Sequence, residues 1–328
     1  MEAPNQPQPK SIELVIPVFN EKDGIGRFHA QLTQAIDSLH FRFEIIYVDD
    51  GSTDGTPAAL DAIASSDDRV VVIELARNFG HQAALTAGLD ASDADAVITM
   101  DADGQHPPEL LASLLDLFDR GYEIVLTQRI AERGLGFVKH WTSEIFYRLL
   151  NLIADTRLVP ASADFRLLSR QVMETLSEMR EYHRFLRGMV AWMGFRTVIV
   201  PYRTPQRIAG KSKYSLRRMV KLAMDAIFSF SLVPLFLGIL LGVSFLGLAL
   251  AEAVYVGSFW FRGQQESLVP GWSSLMFILL ILGGTLLVII GFIGIYVGYI
   301  FQEVKRRPIY IVRRPRPRSV RSSTAEPD

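Results

Sequence analysis

The sequence predicts an α/β domain built on a doubly wound, mostly parallel sheet, followed by an interfacial amphipathic helix and two transmembrane α-helices. Three observations predict it. Short β-branched runs alternate with helical patterns through the first two thirds of the 328 residues, the arrangement that yields a sheet with helices on both faces. Acid-bearing loops follow three of those runs, and two long stretches without Asp, Glu, Lys or Arg come after them.

Residues 1–10 are polar and Pro-rich, so they are expected to be disordered, and they contain no apolar segment of the kind a cleavable signal peptide requires. Ile12–Pro17, Glu44–Asp49, Val70–Glu74, Ala96–Asp101 and Ile124–Gln128 are near-continuous apolar runs of strand length, as buried parallel strands should be. Between them, Ile25–Leu39, Thr56–Ala64, Gln82–Leu89 and Pro108–Arg120 carry apolar residues at three and four spacing, and Pro107-Pro108 marks a helix start.

The first, second and fourth runs end in Pro17-Val18-Phe19-Asn20-Glu21, Asp49-Asp50-Gly51-Ser52-Thr53-Asp54 and Asp101-Ala102-Asp103-Gly104-Gln105-His106. In an open α/β sheet, ligands bind at the carboxyl ends of the strands. Taken singly, each loop is an ordinary turn or helix cap; three in register define one crevice. Two aspartates one residue apart suit a hard divalent cation that takes one or two protein carboxylates and completes its sphere with phosphate oxygens. The acidic run is therefore expected to be a metal-diphosphate site. Downstream, Arg129, Arg133, Asp164-Phe165-Arg166 and Arg207-Ile208-Ala209-Gly210-Lys211-Ser212-Lys213-Tyr214 form a cationic cluster. A Gly among Arg, Lys and Ser lets backbone N–H groups approach a phosphate while the side chains add charge-assisted hydrogen bonds.

Ala226–Ala251 and Leu268–Gln302 each exceed the roughly 20 residues that span a bilayer. Spans are placed at about 229–255 and 273–301 within the membrane part, 229–302. Residues 215–228 have the alternation of apolar and basic side chains of an interfacial helix. Lys and Arg cluster before the first span and after the second, which keeps both flanks, including the basic 303–328 tail, cytoplasmic. The tail from Arg313 is expected to be disordered. Glycines in the second span, Gly283, Gly284, Gly291, Gly294 and Gly298, permit close helix contact and a homo-oligomer.

The strings ELVIPVFNE, IIYVDDGSTDGT, LARNFGHQAALTAGL and VITMDADGQHPPE resemble the catalytic domain of family-2 glycosyltransferases with the Rossmann-like GT-A fold, and DFRLLSR and RIAGKSKYSLRR resemble its polyprenyl-phosphate, dolichol-phosphate-mannose-synthase-like branch. The resemblance covers about residues 11–220, with the catalytic domain taken as 11–214, and, with the two spans, its membrane-anchored bacterial members. It implies a nucleotide-sugar (UDP- or GDP-sugar) donor held by Pro17, Asn20, Glu21, Asp49, Asp50, Arg77, Asp101 and Ala102. It implies Mg²⁺ or Mn²⁺ on Asp101, Asp103 and Gln105, with Asp103 and Asp164 at the centre of catalysis. The polyprenyl-phosphate acceptor falls to Arg129, Arg207, Ser212 and Lys213. An integral protein of the plasma or inner membrane with a cytoplasmic catalytic domain follows.

A phosphate monoester, with a second pKa of about 6, is ionised at neutral pH and needs no strong base to attack. An inverting single displacement is expected. With no Cys, thiolate metal ligands and a Cys nucleophile are excluded. The six His lack zinc-site spacing, and neither a P-loop nor a nucleic-acid-binding motif occurs. Two alternatives stand beside the transferase: a non-catalytic membrane scaffold that binds nucleotide-sugar or lipid, and a processive polysaccharide synthase, although the chain lacks QxxRW and further spans.

Overall fold

The structure, a computed structural model, describes residues 10–130, 162–182, 184–203 and 271–314, with scattered positions between 238 and 262. These fall into two compact units. The first holds the described residues up to 203 together with those from Pro308 onward, and the second holds the rest.

The first unit contains β1 (Ser11–Val18), α1 (Ile25–Ile36), β2 (Arg42–Asp49), α2 (Thr56–Ser66), β3 (Val70–Leu75), α3 (His81–Asp90) and β4 (Ala96–Thr99). A 3₁₀ turn at Pro108–Leu110 leads into α4 (Leu111–Asp119), followed by β5 (Ile124–Arg129), β6 (Ser162–Ser169), α5 (Arg170–Glu178), α6 (Leu186–Trp192) and β7 (Thr197–Tyr202). After the second unit's helix α7 (Trp272–Val304), the chain adds β8 (Val312–Arg314).

One eight-stranded sheet has the order β7-β5-β6-β4-β1-β2-β3-β8. The strands β4-β1-β2-β3 are mutually parallel, as the apolar runs predict. The sheet is nevertheless mixed, because β6 inserts antiparallel between β4 and β5, and β8 pairs antiparallel with β3. The expectation of a mostly parallel sheet is corrected to that extent. The expectation of disorder from Arg313 is corrected for Arg313 and Arg314, which belong to the edge strand Val312–Arg314, while the rest of that tail lies outside the described residues.

Both sheet faces are covered, which accounts for the continuous apolar runs. Ile12, Leu14, Ile16 and Val18 of β1 join Ile25, Phe28, Leu32 and Ile36 of α1 and Leu111, Leu114 and Leu115 of α4 in one core. Val15 points to the other face, where α3 packs so closely that a Cβ on Gly88 would lie 2.3 Å from Val15 Cγ1.

In the second unit, Ile281–Val304 of α7 is long and apolar enough to cross a membrane, with mean hydropathy 2.3. Leu287, Ile290, Val297 and Ile300 point outward, as a bilayer-facing helix requires. It is the one such helix among the described residues. The interfacial helix lies outside the described residues and the first expected span mostly so, although a Cβ on Gly238 would lie 3.3 Å from Ile289 Cγ1 of α7.

Candidate active site

The register places the acidic loops together. Val18 pairs with Asp49 across β1 and β2, and Val15 pairs with Thr99 across β1 and β4. The chain proceeds from β1 toward β3 on one side, whereas β4 lies on the other. The β1 and β4 ends therefore flank the switch point where such sheets hold ligands.

The β1 and β2 loops are stitched by hydrogen bonds. Asn20 sits in the left-handed region at φ 55°; its amide donates to Ser52 Oγ at 3.0 Å, and its Oδ1 accepts from the Thr53 amide at 2.9 Å. The Glu21 amide donates to Thr56 Oγ1. Pro17 is buried beneath them. Asp49 accepts from the Ser52 amide through Oδ1 at 3.0 Å, while its Oδ2 is buried with no hydrogen-bond partner among the described residues. Burial raises the Asp49 pKa, against the opposing Ser52 bonds. A buried unpaired oxygen of this kind calls for a ligand. Asp50 is different, since its two oxygens accept from the Phe79 and Gly80 amides at 2.7 and 2.9 Å. Burial pushes its pKa up while those amides pull it down. Asp50 thus shapes the β3–α3 loop, where the exposed Arg77 lies over the Phe79 ring at 4.1 Å.

The acidic run closes on a histidine. The Asp101 amide donates to His106 Nδ1 at 2.8 Å, the Gln105 amide donates to Asp103 Oδ1 at 3.0 Å, and Gly104 takes the positive φ of 75° that this tight turn needs. Ala102 is buried within it. His106 is fully buried and stacked on Phe165. Because Nδ1 accepts, the proton of the neutral ring belongs on Nε2, which lies 3.3 Å from Arg129 Nη2 and 3.7 Å from Asp101 Oδ2. Burial lowers the His106 pKa, which keeps this neutral form. Arg129, ending β5, joins the loop: it donates to Gln105 Oε1 at 3.2 Å and to the Tyr202 hydroxyl at 3.1 Å. The expected acceptor cation therefore touches a residue expected to hold metal.

Asp164 and Arg166 alternate onto one face of β6, and Thr99 of β4 pairs with Arg166 in register. Asp164 is buried and bonded to Arg166. It also accepts from Arg187 of α6 at 3.1 and 2.8 Å and lies 3.4 Å from His81 Nε2. Burial opposes its charge, but Arg187, His81 and Arg166 together hold its carboxyl well below the usual range. His81, the first residue of α3, also lies 3.5 Å from Asp101 Oδ1. Burial works against its charge, and the Asp164 and Asp101 carboxylates outweigh it and raise its pKa.

His81 and Arg187 are functional candidates that sequence reasoning passed over. The available signal was slight: His81 follows Gly80 at the end of LARNFGHQAAL, inside a string already singled out. Arg207, Ser212 and Lys213, and with them Arg133, lie outside the described residues.

Among the described residues, no three His, Cys, Asp or Glu side chains gather to hold a metal ion. Asp101 and Asp103 with Gln105 Oε1 offer only hard oxygens. That set fits Mg²⁺ or Mn²⁺ completed by substrate phosphates rather than a cage made by protein alone.

The chain is 38% identical over 301 residues to the uncharacterized glycosyltransferase YkcC of Bacillus subtilis (strain 168), covering 92% of this chain and 93% of that one. It is 36% identical over 306 residues to the bactoprenol glucosyl transferase of Shigella phage SfII, covering 92% and 97%. Among solved structures, the mannosyl-3-phosphoglycerate synthase from Rubrobacter xylanophilus matches with a TM-score of 0.44 at 18% identity, over 66% of this chain and 72% of that one. Residues 13–177 match the model for glycosyl transferase family 2, and with relatives this similar over nearly its whole length, the chain belongs to that family.

Proposed function

We propose that the protein transfers a sugar from a UDP- or GDP-sugar to a polyprenyl phosphate at the cytoplasmic membrane face, by a single displacement that inverts the anomeric centre. The observation that carries this reading is the meeting of the Asp101–Gln105 loop with Arg129: an acidic turn suited to a metal diphosphate touches a cation suited to a second phosphate. Relatives named bactoprenol glucosyl transferase support a polyprenyl carrier, and the apolar Ile281–Val304 helix supports a membrane anchor.

Asn20, Glu21 and the loop after β2 form the wall for the nucleoside, with Pro17 beneath, Arg77 at its edge and the unpaired Asp49 Oδ2 available to accept a hydrogen bond. Asp101, Asp103 and Gln105, with Ala102 between the acids, are assigned the metal, which when bound neutralises the departing diphosphate as a Lewis acid. The acceptor phosphate attacks already ionised. Its oxygen bonds to the anomeric carbon as the bond to the diphosphate oxygen breaks, and the electron pair leaves with the nucleoside diphosphate. No proton has to move. Arg129, and with it Arg207, Ser212 and Lys213, screens the acceptor charge so that two anions can meet.

Asp164 is fully engaged by Arg166, Arg187 and His81 and held ionised, which suits an organising anion better than a base. It sets His81 beside Asp101 and holds Arg187 at its own carboxylate. Two spans, a catalytic part over 11–214 and an interfacial helix over 215–228 complete the proposed organisation.

The test is direct. Purified protein with labelled nucleotide-sugars, undecaprenyl or dolichyl phosphate and Mn²⁺ or Mg²⁺ should form a glycolipid, and Asp101→Asn with Asp103→Asn should abolish it. Folded protein that makes no glycolipid from any donor would overturn the proposal.

A further inference from the structure

We propose that Pro308–Arg314, which follows the apolar helix, is a strap that positions the donor loop, with Tyr310 and Arg313 as positioning residues. The inference rests on the reading of Arg77 and Asp50 as part of the nucleotide site.

The strap grips both elements that bracket the Ala76–Gly80 loop. At the end of β3, Val312 pairs with Leu75 and Arg314 with Glu74 across a register irregularity. The Ala76 amide donates to the Ile311 carbonyl at 2.8 Å. The Arg313 guanidinium donates to Glu74 Oε1 at 2.7 Å and to the Ala76 carbonyl at 2.9 Å. Both backbone polar groups of Ala76 are therefore satisfied by the strap. The other anchor is at the far end of α3, where Asp90 Oδ2 accepts from the Tyr310 hydroxyl at 2.8 Å and from Arg180 at 2.7 Å. Burial and the Asp90 carboxylate raise the Tyr310 pKa, so the hydroxyl keeps its proton and stays a donor.

What lies between these anchors is the site. Arg77 follows Ala76 directly, and the Phe79 and Gly80 amides hold Asp50. Gly51 lies so near Arg77 that a Cβ there would be 2.4 Å from the Arg77 carbonyl carbon. A shift of Ala76 is thus passed to the β2 loop through packed backbone, and a shift of α3 moves His81 away from Asp101. Simple protection of a sheet edge would require only the backbone pairs. It does not account for side chains that reach the loop carbonyl at one end and the last residue of α3 at the other.

The test uses the full chain in detergent with Tyr310→Phe, Arg313→Ala, the double variant and Arg313→Lys, read by hydrogen exchange and by donor kinetics. In the double variant, amides of Ala76–Gly80 should exchange about tenfold faster, the equivalent of about 1.4 kcal/mol, while those of β1 keep their protection. The donor KM should rise by at least about threefold with kcat falling by a smaller factor, and Arg313→Lys should recover part of the loss. A strap with a merely stabilising role would lower the melting temperature and leave loop exchange and donor KM as in the wild type, and that result would overturn the proposal. If loop exchange responds but the wild type binds neither UDP nor GDP in the presence of Mn²⁺, the strap stands and the nucleotide assignment falls.

Discussion

Replacing Asp164 by Asn tests whether the buried cluster is held together by charge. The substitution keeps the shape and removes the one anion that Arg166, Arg187 and His81 share. Arg166 is 2% exposed, so its guanidinium cannot turn to water and is left as an uncompensated buried cation. Breaking a buried pair in this way costs about 3–5 kcal/mol, a large part of a net stability of about 5–15 kcal/mol. Arg187, with a side chain 30% exposed, can rehydrate and adds little. For a domain of this size, the loss corresponds to a fall in Tm on the order of 10 °C. Thermal unfolding of the full chain in detergent, followed by tryptophan fluorescence, gives the measurement. Asp164→Asn combined with Arg166→Met should recover most of the stability, because removing both charges leaves no orphan. Turnover should stay low in both variants, since His81 loses its anchor beside Asp101. A Tm for Asp164→Asn within about 2 °C of wild type would refute the reasoning, and lost turnover at native stability would instead point to direct chemistry.

Gly51→Ala should abolish nucleotide binding in calorimetry and destabilise the fold by about 1–3 kcal/mol, because φ is 67° and the new Cβ would strike the Arg77 backbone. Chelation with EDTA should remove nucleotide binding without unfolding the protein, as circular dichroism can verify, since the metal is assigned to substrate phosphates more than to protein ligands. Acid should weaken the fold through His29. Its pKa is lowered by burial, against the pull of Asp67, so the unfolded chain takes up the proton more readily. Stability from neutral His29 is complete above the unfolded value of 6.5 and is lost as pH falls through the folded pKa. Between about pH 7.5 and about pH 5, the wild type should lose more Tm than His29→Asn, which retains a partner for the Tyr47 hydroxyl; equal losses would exclude this residue as the source.

The parallel strands, most helix positions and the loops at the strand ends were legible in the sequence because hydrophobic period and turn chemistry are local. An apolar run of strand length between turns has few ways to be buried. The acidic pair Asp101 and Asp103 was likewise visible as a pair one residue apart. Tertiary structure alone decided which distant segments meet. DFRLLSR carries no mark of an antiparallel insertion between β4 and β5, yet that register buries Asp164 with Arg166 and brings them to His81. Basic, Pro-flanked Val312–Arg314 read locally as tail, and only an available edge on β3 makes it a strand. Asp50 read as a ligand for nucleotide, and only the fold shows that its two oxygens also accept from the Phe79 and Gly80 amides and so hold the β3–α3 loop. In each case the deciding free energy comes from pairing between residues far apart in the chain, a property of no single stretch of sequence.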